Sequence, residues 1–152
     1  MYKYLSFSIS IAFISWIVGM AINSVVRKTA FYHKSLSSLN FIKNDTLNKI
    51  IGIRIFKWVV KNTFFKFFNQ KLTLKKKTDK DGLNKIRNEM TISEIDHLIA
   101  FAFVTIFALV KFINSNYLFG CIIMTVNILM NLYPSLLQQE NKRRIDKLIK
   151  RL

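Results

Sequence analysis

Glu94 and His97 are the residues of this chain whose types and spacing suit proton transfer. Three apart on a helix, they share a face. A carboxylate that orients an imidazole makes that imidazole a general base. Glu-x-x-His is also half of the ligand set of a di-iron helix bundle. The other half is missing and the second histidine, His33, falls in a loop, so too few ligands remain and no metal is expected. Ser-His-Asp order, a glycine-rich phosphate loop and a Cys-x-x-Cys pair are all lacking.

The elements that must position this pair are apolar blocks, not the spread periodicity of a soluble domain. Three runs stand out: 4–26, 95–113 and 117–137. The first, as a helix, is roughly 35 Å long, enough for a bilayer core. In the second, the uninterrupted apolar stretch Leu98–Val110 covers only about 20 Å, so the span is extended to Ile95 and Ile113, with Lys111 snorkelling outward. The short connection after Ile113 predicts an antiparallel hairpin, in which residues equidistant from its centre lie at one depth. With the centre near Asn114, His97 is level with Asn131 and Glu94 with Pro134. Glu89, Glu94, Asp96 and His97 then converge with Asn131, Gln138 and Asn141. On the third span Asn127, Asn131, Ser135 and Gln138 make one polar stripe. Ionisable groups at membrane depth are costly and face a bundle interior, which makes this cluster the candidate site. Pro134 is expected to kink or end its helix.

Charge fixes the expected orientation. The net charge of +16 invites a nucleic-acid reading, but its distribution argues for a membrane. Of the 24 Lys and Arg, sixteen lie between Arg27 and Arg87 and six between Lys142 and Arg151. With three spans those segments share a side, and the positive-inside rule makes it the cytoplasm. The expected architecture is an all-α, multi-pass protein of the cytoplasmic membrane, N-terminus outside and C-terminus in the cytoplasm. It forms a single membrane domain, with a basic segment over 27–94 and a basic tail over 138–152. Lys3, the run from Leu5 and Gly19-Met20-Ala21 also fit a signal peptide. Cleavage would leave the most basic segment outside, so the run reads as a retained span. Cys121 cannot form an internal disulfide and reads as a packing residue.

Between the first two spans, Ile53, Phe56, Val60, Phe64 and Phe67 fall on one helical face and Arg54, Lys57 and Lys61 on another. Such a helix suits the membrane interface, its rings among acyl chains and its cations near anionic headgroups; the alternative is packing against the protein's own spans. Lys75-Lys76-Lys77 lies in a charged connector. The site residues also have plain readings. Thr91-Ile92-Ser93-Glu94 has the form of a capping box, with Met90 and Ile95 at the staple positions. Asn and Gln in spans often only join helices, and Lys142, Arg143 and Arg144 fit a positive-inside anchor.

Two blocks carry a resemblance. Glu89-x4-Glu94-x2-His97 is followed at once by an apolar span, and Asn131, Pro134, Gln138 and Asn141-Lys142-Arg143-Arg144 close the last one. These resemble the small membrane acyltransferases typified by glycosyl-diaponeurosporenoate acyltransferase of carotenoid synthesis; Asn23 and Arg27 could match an Asn and an Arg that the family carries after its first span. Glu140, Lys142, Leu98 and the register of Pro134 depart from the family pattern, as in a distant member. The His-x4-Asp motif common in glycerolipid acyltransferases is absent after both histidines. The resemblance implies transfer of a fatty acyl group to a hydroxyl of a membrane glycolipid or glycosylated carotenoid. His97 would be the base, with Glu94 and Glu89 beside it. Asn131, Gln138 or Asn141 would supply amides to the oxyanion. Lys142, Arg143 and Arg144 would hold the phosphates of an activated acyl donor such as acyl-CoA, with no bound cofactor. The alternative is a non-catalytic subunit that binds a partner helix, or a second copy of itself, and anionic lipid. No nucleic-acid partner is expected.

Overall fold

The computed structural model describes residues 1–39, 41, 52–62 and 79–152. In chain order the elements are α1 (Tyr2–Val26), α2 (Ala30–Lys34), a 3₁₀ turn (Leu36–Ser38), α3 (Ile53–Asn62), α4 (Lys80–Ile113), α5 (Tyr117–Asn127), a π-helical turn (Ile128–Leu132) and α6 (Tyr133–Ile149). No strand occurs among the described residues. The helical stretches Tyr2–Val26, Lys80–Ile113 and Tyr117–Ile149 are each long and apolar enough to cross a bilayer. The chain is an all-α membrane protein.

Two compact units divide it. The first joins Met1–Leu39 to Ile92–Ser135. Its apolar core is Ile11 of α1, Val104 and Ala108 of α4, and Phe119 and Ile123 of α5. Tyr4 stacks on Phe119 with ring centroids 4.3 Å apart. Gly19 lets α1 approach α4 so closely that an added Cβ would overlap the Asp96 carbonyl oxygen. Small residues at such crossings are how helices pack in lipid, where burial of apolar surface gives no inward drive. The hairpin forms as expected. Ser115 turns at φ 58°, and the N–H groups of Asn116 and Ser115 close on the carbonyls of Lys111 (2.9 Å) and Phe112 (3.0 Å). That is a Schellman ending for α4.

The second unit joins Asn40–Thr91 to Leu136–Leu152. Leu83, Met90 and Ile145 form its core, flanked by Ile86 and Ile149. Arg87 Nε donates to Asp146 Oδ1 at 2.5 Å. Glu140 receives Arg144 at 3.0 Å and Lys57 at 3.7 Å. Helix α3 forms inside the stretch whose periodicity predicted it, but Ile53 and Val60 are buried in the protein, while Ile55 and Trp58 are its exposed large apolar groups. Lys61's side chain, Phe64, Phe67 and the Lys75–Lys77 connector lie outside the described residues.

The capping box at Thr91 does not form. After Gly82 neither Gly nor Pro interrupts the sequence before Gly120, so α4 starts at Lys80 and runs through Thr91 without a break. Its start is marked by the Asp79 carboxylate, which accepts the Gly82 N–H at 3.0 Å. The Thr91 hydroxyl instead donates to the Arg87 carbonyl at 3.0 Å. At Pro134 the helix widens but does not end. The Tyr133 N–H reaches the Ile128 carbonyl five residues back, a π turn that relieves the proline's clash with the preceding turn.

Candidate active site

Inside the first unit the polar side chains form a seam, and its centre is Asn131. Asn131 Oδ1 accepts Trp16 Nε1–H at 3.0 Å. Its amide nitrogen donates to Asn127 Oδ1 at 2.9 Å and to Ser15 Oγ at 3.2 Å. Asn127 in turn donates to the Phe101 carbonyl at 3.0 Å and to Thr105 Oγ1 at 3.2 Å. Apart from Asn131–Asn127, which lies within one helical stretch, these links join different helices. Asn131 and the His97 ring share Trp16 as a neighbour, at the level the hairpin predicted. Trp16 meets that ring edge-on, with centroids 6.0 Å apart. The Nδ1 atom of His97 is buried and has no partner among the described residues. Glu94, one helical turn before it, is fully buried.

A second polar layer lies two turns further along α1. Asn23 donates to Asp96 Oδ1 at 2.7 Å and to the Ile92 carbonyl at 3.1 Å. Tyr32, on α2, is buried. Burial pushes its phenol above the usual tyrosine range; Arg27 opposes the rise, and Asp96 and Glu94 add to it. The phenol is therefore a protonated donor at neutral pH. Among the described residues the Tyr32 hydroxyl, Asn23 Oδ1 and Ser135 Oγ are buried without partners.

The remaining expected site residues belong to the second unit. Glu89 is exposed, and Gln138, Asn141 and Arg143 are half-buried. Lys142 is only 4% exposed, whereas Arg144 is held at the surface by Glu140. Along the last helical stretch the buried polar positions are Asn127, Asn131, Ser135 and Gln139. Gln139, not Gln138, continues the stripe, and its Oε1 accepts the Phe41 N–H at 3.0 Å. The π turn is the reason. It takes more residues per revolution than an α-helix, so the face advances by four where an α-helix would alternate three and four. Among the described residues, no three His, Cys, Asp or Glu side chains gather as a metal site.

Ser15 and Trp16 of the seam, and the buried Tyr32, do not stand out as site residues in the sequence. The signal was present for α1: Ser8, Ala12, Ser15, Gly19 and Asn23 step by three or four along one face. Averaged hydropathy hides such a stripe, because its neighbours are strongly apolar. Tyr32 had no signal, since its burial depends on a five-residue helix capped by Thr29.

The fold and the seam define a small polytopic membrane protein that keeps ionisable and amide side chains inside a helix bundle. The model of the family described as glycosyl-4,4'-diaponeurosporenoate acyltransferase matches residues 28–151, and the chain belongs to that family. The match leaves out α1, so Ser15, Trp16, Asn23 and Arg27 stand before it. No curated protein and no solved structure matches the chain.

Proposed function

We propose that the protein transfers a fatty acyl group from an activated thioester, such as acyl-CoA, to a hydroxyl of a membrane glycolipid or glycosylated carotenoid. The observation that carries this reading is His97. It is an imidazole inside a lipid-facing bundle with Nδ1 unengaged, and it lies within the stretch that matches the acyltransferase family. His97 takes the proton of the acceptor hydroxyl as that oxygen attacks the thioester carbonyl. The tetrahedral oxyanion then collapses, the C–S bond breaks, and the departing thiolate recovers the proton from the imidazolium.

Asn131 is better suited to positioning than to the oxyanion. Its amide hydrogens already serve Ser15 and Asn127, and its oxygen serves Trp16. The geometry therefore supports a role in fixing the His97 ring. The amides of Gln138 and Asn141 are left for the oxyanion, and Glu94 and Glu89 for tuning the base. Arg143 and Arg144, with Lys142, suit the donor phosphates. The charge distribution favours a cytoplasmic side for both basic segments and an outward N-terminus. Anionic headgroups are the matching lipid partners.

One observation favours a non-catalytic subunit instead: most polar groups of the seam are spent on interhelix bonds, as in helix glue. The two readings separate by mass spectrometry of lipid and pigment extracts from a strain lacking the protein, complemented with the intact chain or with His97→Ala. Acyl transfer predicts that the deletion accumulates an unacylated glycolipid and that only the intact chain restores its ester. The variant's rate should fall about 10²–10⁴-fold at equal membrane abundance. Three matching extracts would remove the enzyme.

A further inference from the structure

We infer that Trp16 positions the His97 ring for proton transfer, an assignment that deepens the acyl-transfer reading and rests on it. Two contacts meet on this side chain. Its Nε1–H donates to Asn131 Oδ1 at 3.0 Å, and its ring meets the His97 imidazole at 89° with centroids 6.0 Å apart. Phe13, one turn earlier on α1, packs edge to face against the indole at 4.8 Å. Asn131 is itself fixed, since it is fully buried and its nitrogen donates to Ser15 and Asn127. Three helical segments therefore meet at this contact. Helix α1 carries the indole, the π turn carries its acceptor and α4 carries the imidazole.

The physical case is one of freedom removed. A histidine side chain rotates about its χ1 and χ2 bonds, and a base works only when its nitrogen points at the hydroxyl it must deprotonate. His97 Nδ1 is buried with no partner among the described residues, so no hydrogen bond at that atom sets the direction. The ring contact does so instead, because the edge of one aromatic ring is drawn to the face of another and turning either ring forfeits the attraction. An indole free to turn would give little direction. Here its single N–H is committed to Asn131, which makes the ring a fixed wall beside the imidazole. Phe or Leu could fill part of that space, but neither has a donor for Asn131. Trp16 also stands before the stretch that matches the family, so the base and its support come from separate parts of the chain.

Trp16→Phe tests this, since it keeps an aromatic ring on α1 and removes the N–H. The full chain and its variants are expressed in the strain lacking the protein, and ester formation from a pulse of labelled palmitate is read per mole of membrane-inserted protein. Trp16→Phe should slow it about tenfold, the order of one aromatic contact. In the His97→Ala background the same change should slow it no further, because a positioning residue acts only through the group it positions. An equal loss in both backgrounds would make Trp16 a packing residue, and no loss beside an intact His97 would remove its role. Either result overturns the inference. A second readout needs no activity. Trp58→Phe and His33→Gln leave one indole and one imidazole, and these rings are protonated in an otherwise deuterated chain in phosphatidylcholine nanodiscs. The Trp16 and His97 rings should give a nuclear Overhauser cross-peak. Asn131→Leu, which keeps both rings and unties the indole, should abolish it. A cross-peak missing from the chain with Asn131, or unchanged by Asn131→Leu, overturns the positioning. The transferase can fail separately. If no ester forms, or forms as fast in His97→Ala, while the cross-peak behaves as expected, the acyl-transfer reading falls and the indole's hold on His97 stands.

Discussion

Helices α1 and α6 bury different faces. On α1 the buried face is small and polar, with Ser8, Ala12, Ser15, Gly19 and Asn23, while Phe13, Ile14, Ile17, Met20 and Val25 point outward. On α6 the buried face mixes Leu136, Leu137 and Ile145 with Ser135, Gln139 and Lys142, while Arg144 and Lys147, and Lys150 just beyond it, are exposed. The outward residues are thus apolar on α1 and basic on the last turns of α6. Water drives apolar side chains inward at about 25 cal/mol per Å². Lipid does not, so α1 is held by close approach and by hydrogen bonds between helices. The first unit therefore leans on small and polar groups as well as on its apolar core, and the second on Leu83, Met90 and Ile145.

The most severe way to break that contrast is Gly19→Ala. The added methyl would meet the backbone carbonyl of Asp96, an atom that no rotamer change can move. Separating α1 from α4 should cost on the order of 3 kcal/mol and loosen the Asn23–Asp96 bond with it. The matching change on the lipid side, Ile17→Ala at a residue 66% exposed, should leave stability nearly unchanged. Thermal melting of purified protein in detergent compares the two. Equal effects would mean that α1 does not pack through its small face. Gly120→Ala falls between them, because the obstacle there is the Phe112 ring, 2.7 Å from the added carbon and able to swing.

How much of this was legible in the sequence follows from the same difference of solvents. The three spans were readable because lipid demands unbroken apolar runs, and blocked runs survive averaging. The depth match of His97 with Asn131 was readable because a three-residue turn leaves a hairpin little freedom. The α1 face was not, since Ser8, Ser15 and Asn23 are diluted by Phe and Ile on the lipid side. The capping alternative at Thr91 fails because a capping signature is local, whereas α4 continues through it. The exchange of Gln138 for Gln139 follows from a π turn that Pro134 hinted at only as a kink. Tyr32 is buried by tertiary packing, which no local pattern encodes.

A smaller effect sharpens the contrast at the seam's centre. Asn131→Leu keeps the volume roughly constant and would suit the core of the second unit. In the first unit it removes three hydrogen bonds, to Trp16, Ser15 and Asn127. Interhelix bonds in membranes are worth roughly 0.6 kcal/mol each, with a maximum near 1.7, so the loss should be about 1–3 kcal/mol. If Asn131 positions His97, activity should fall further than the folded fraction does. A melting curve and a turnover measurement on one preparation read both quantities. A variant as stable as the intact chain would show that the seam contributes chemistry without contributing cohesion.

The smallest effect belongs to the charged contacts of the second unit, and its size is the point. Arg87 and Asp146 are in direct contact, but their side chains are 33% and 41% exposed. Water and salt screen such a pair, and exposed ion pairs typically contribute between zero and about 1 kcal/mol. A double-mutant cycle over Arg87→Ala and Asp146→Ala should therefore give a coupling below about 1 kcal/mol that shrinks further as salt rises. The Asn23–Asp96 contact, probed by Asn23→Leu and Asp96→Asn, should couple more strongly and show little salt dependence, since no mobile ion reaches a bond buried between spans. Equal salt sensitivity at the two sites would mean that both face the same medium.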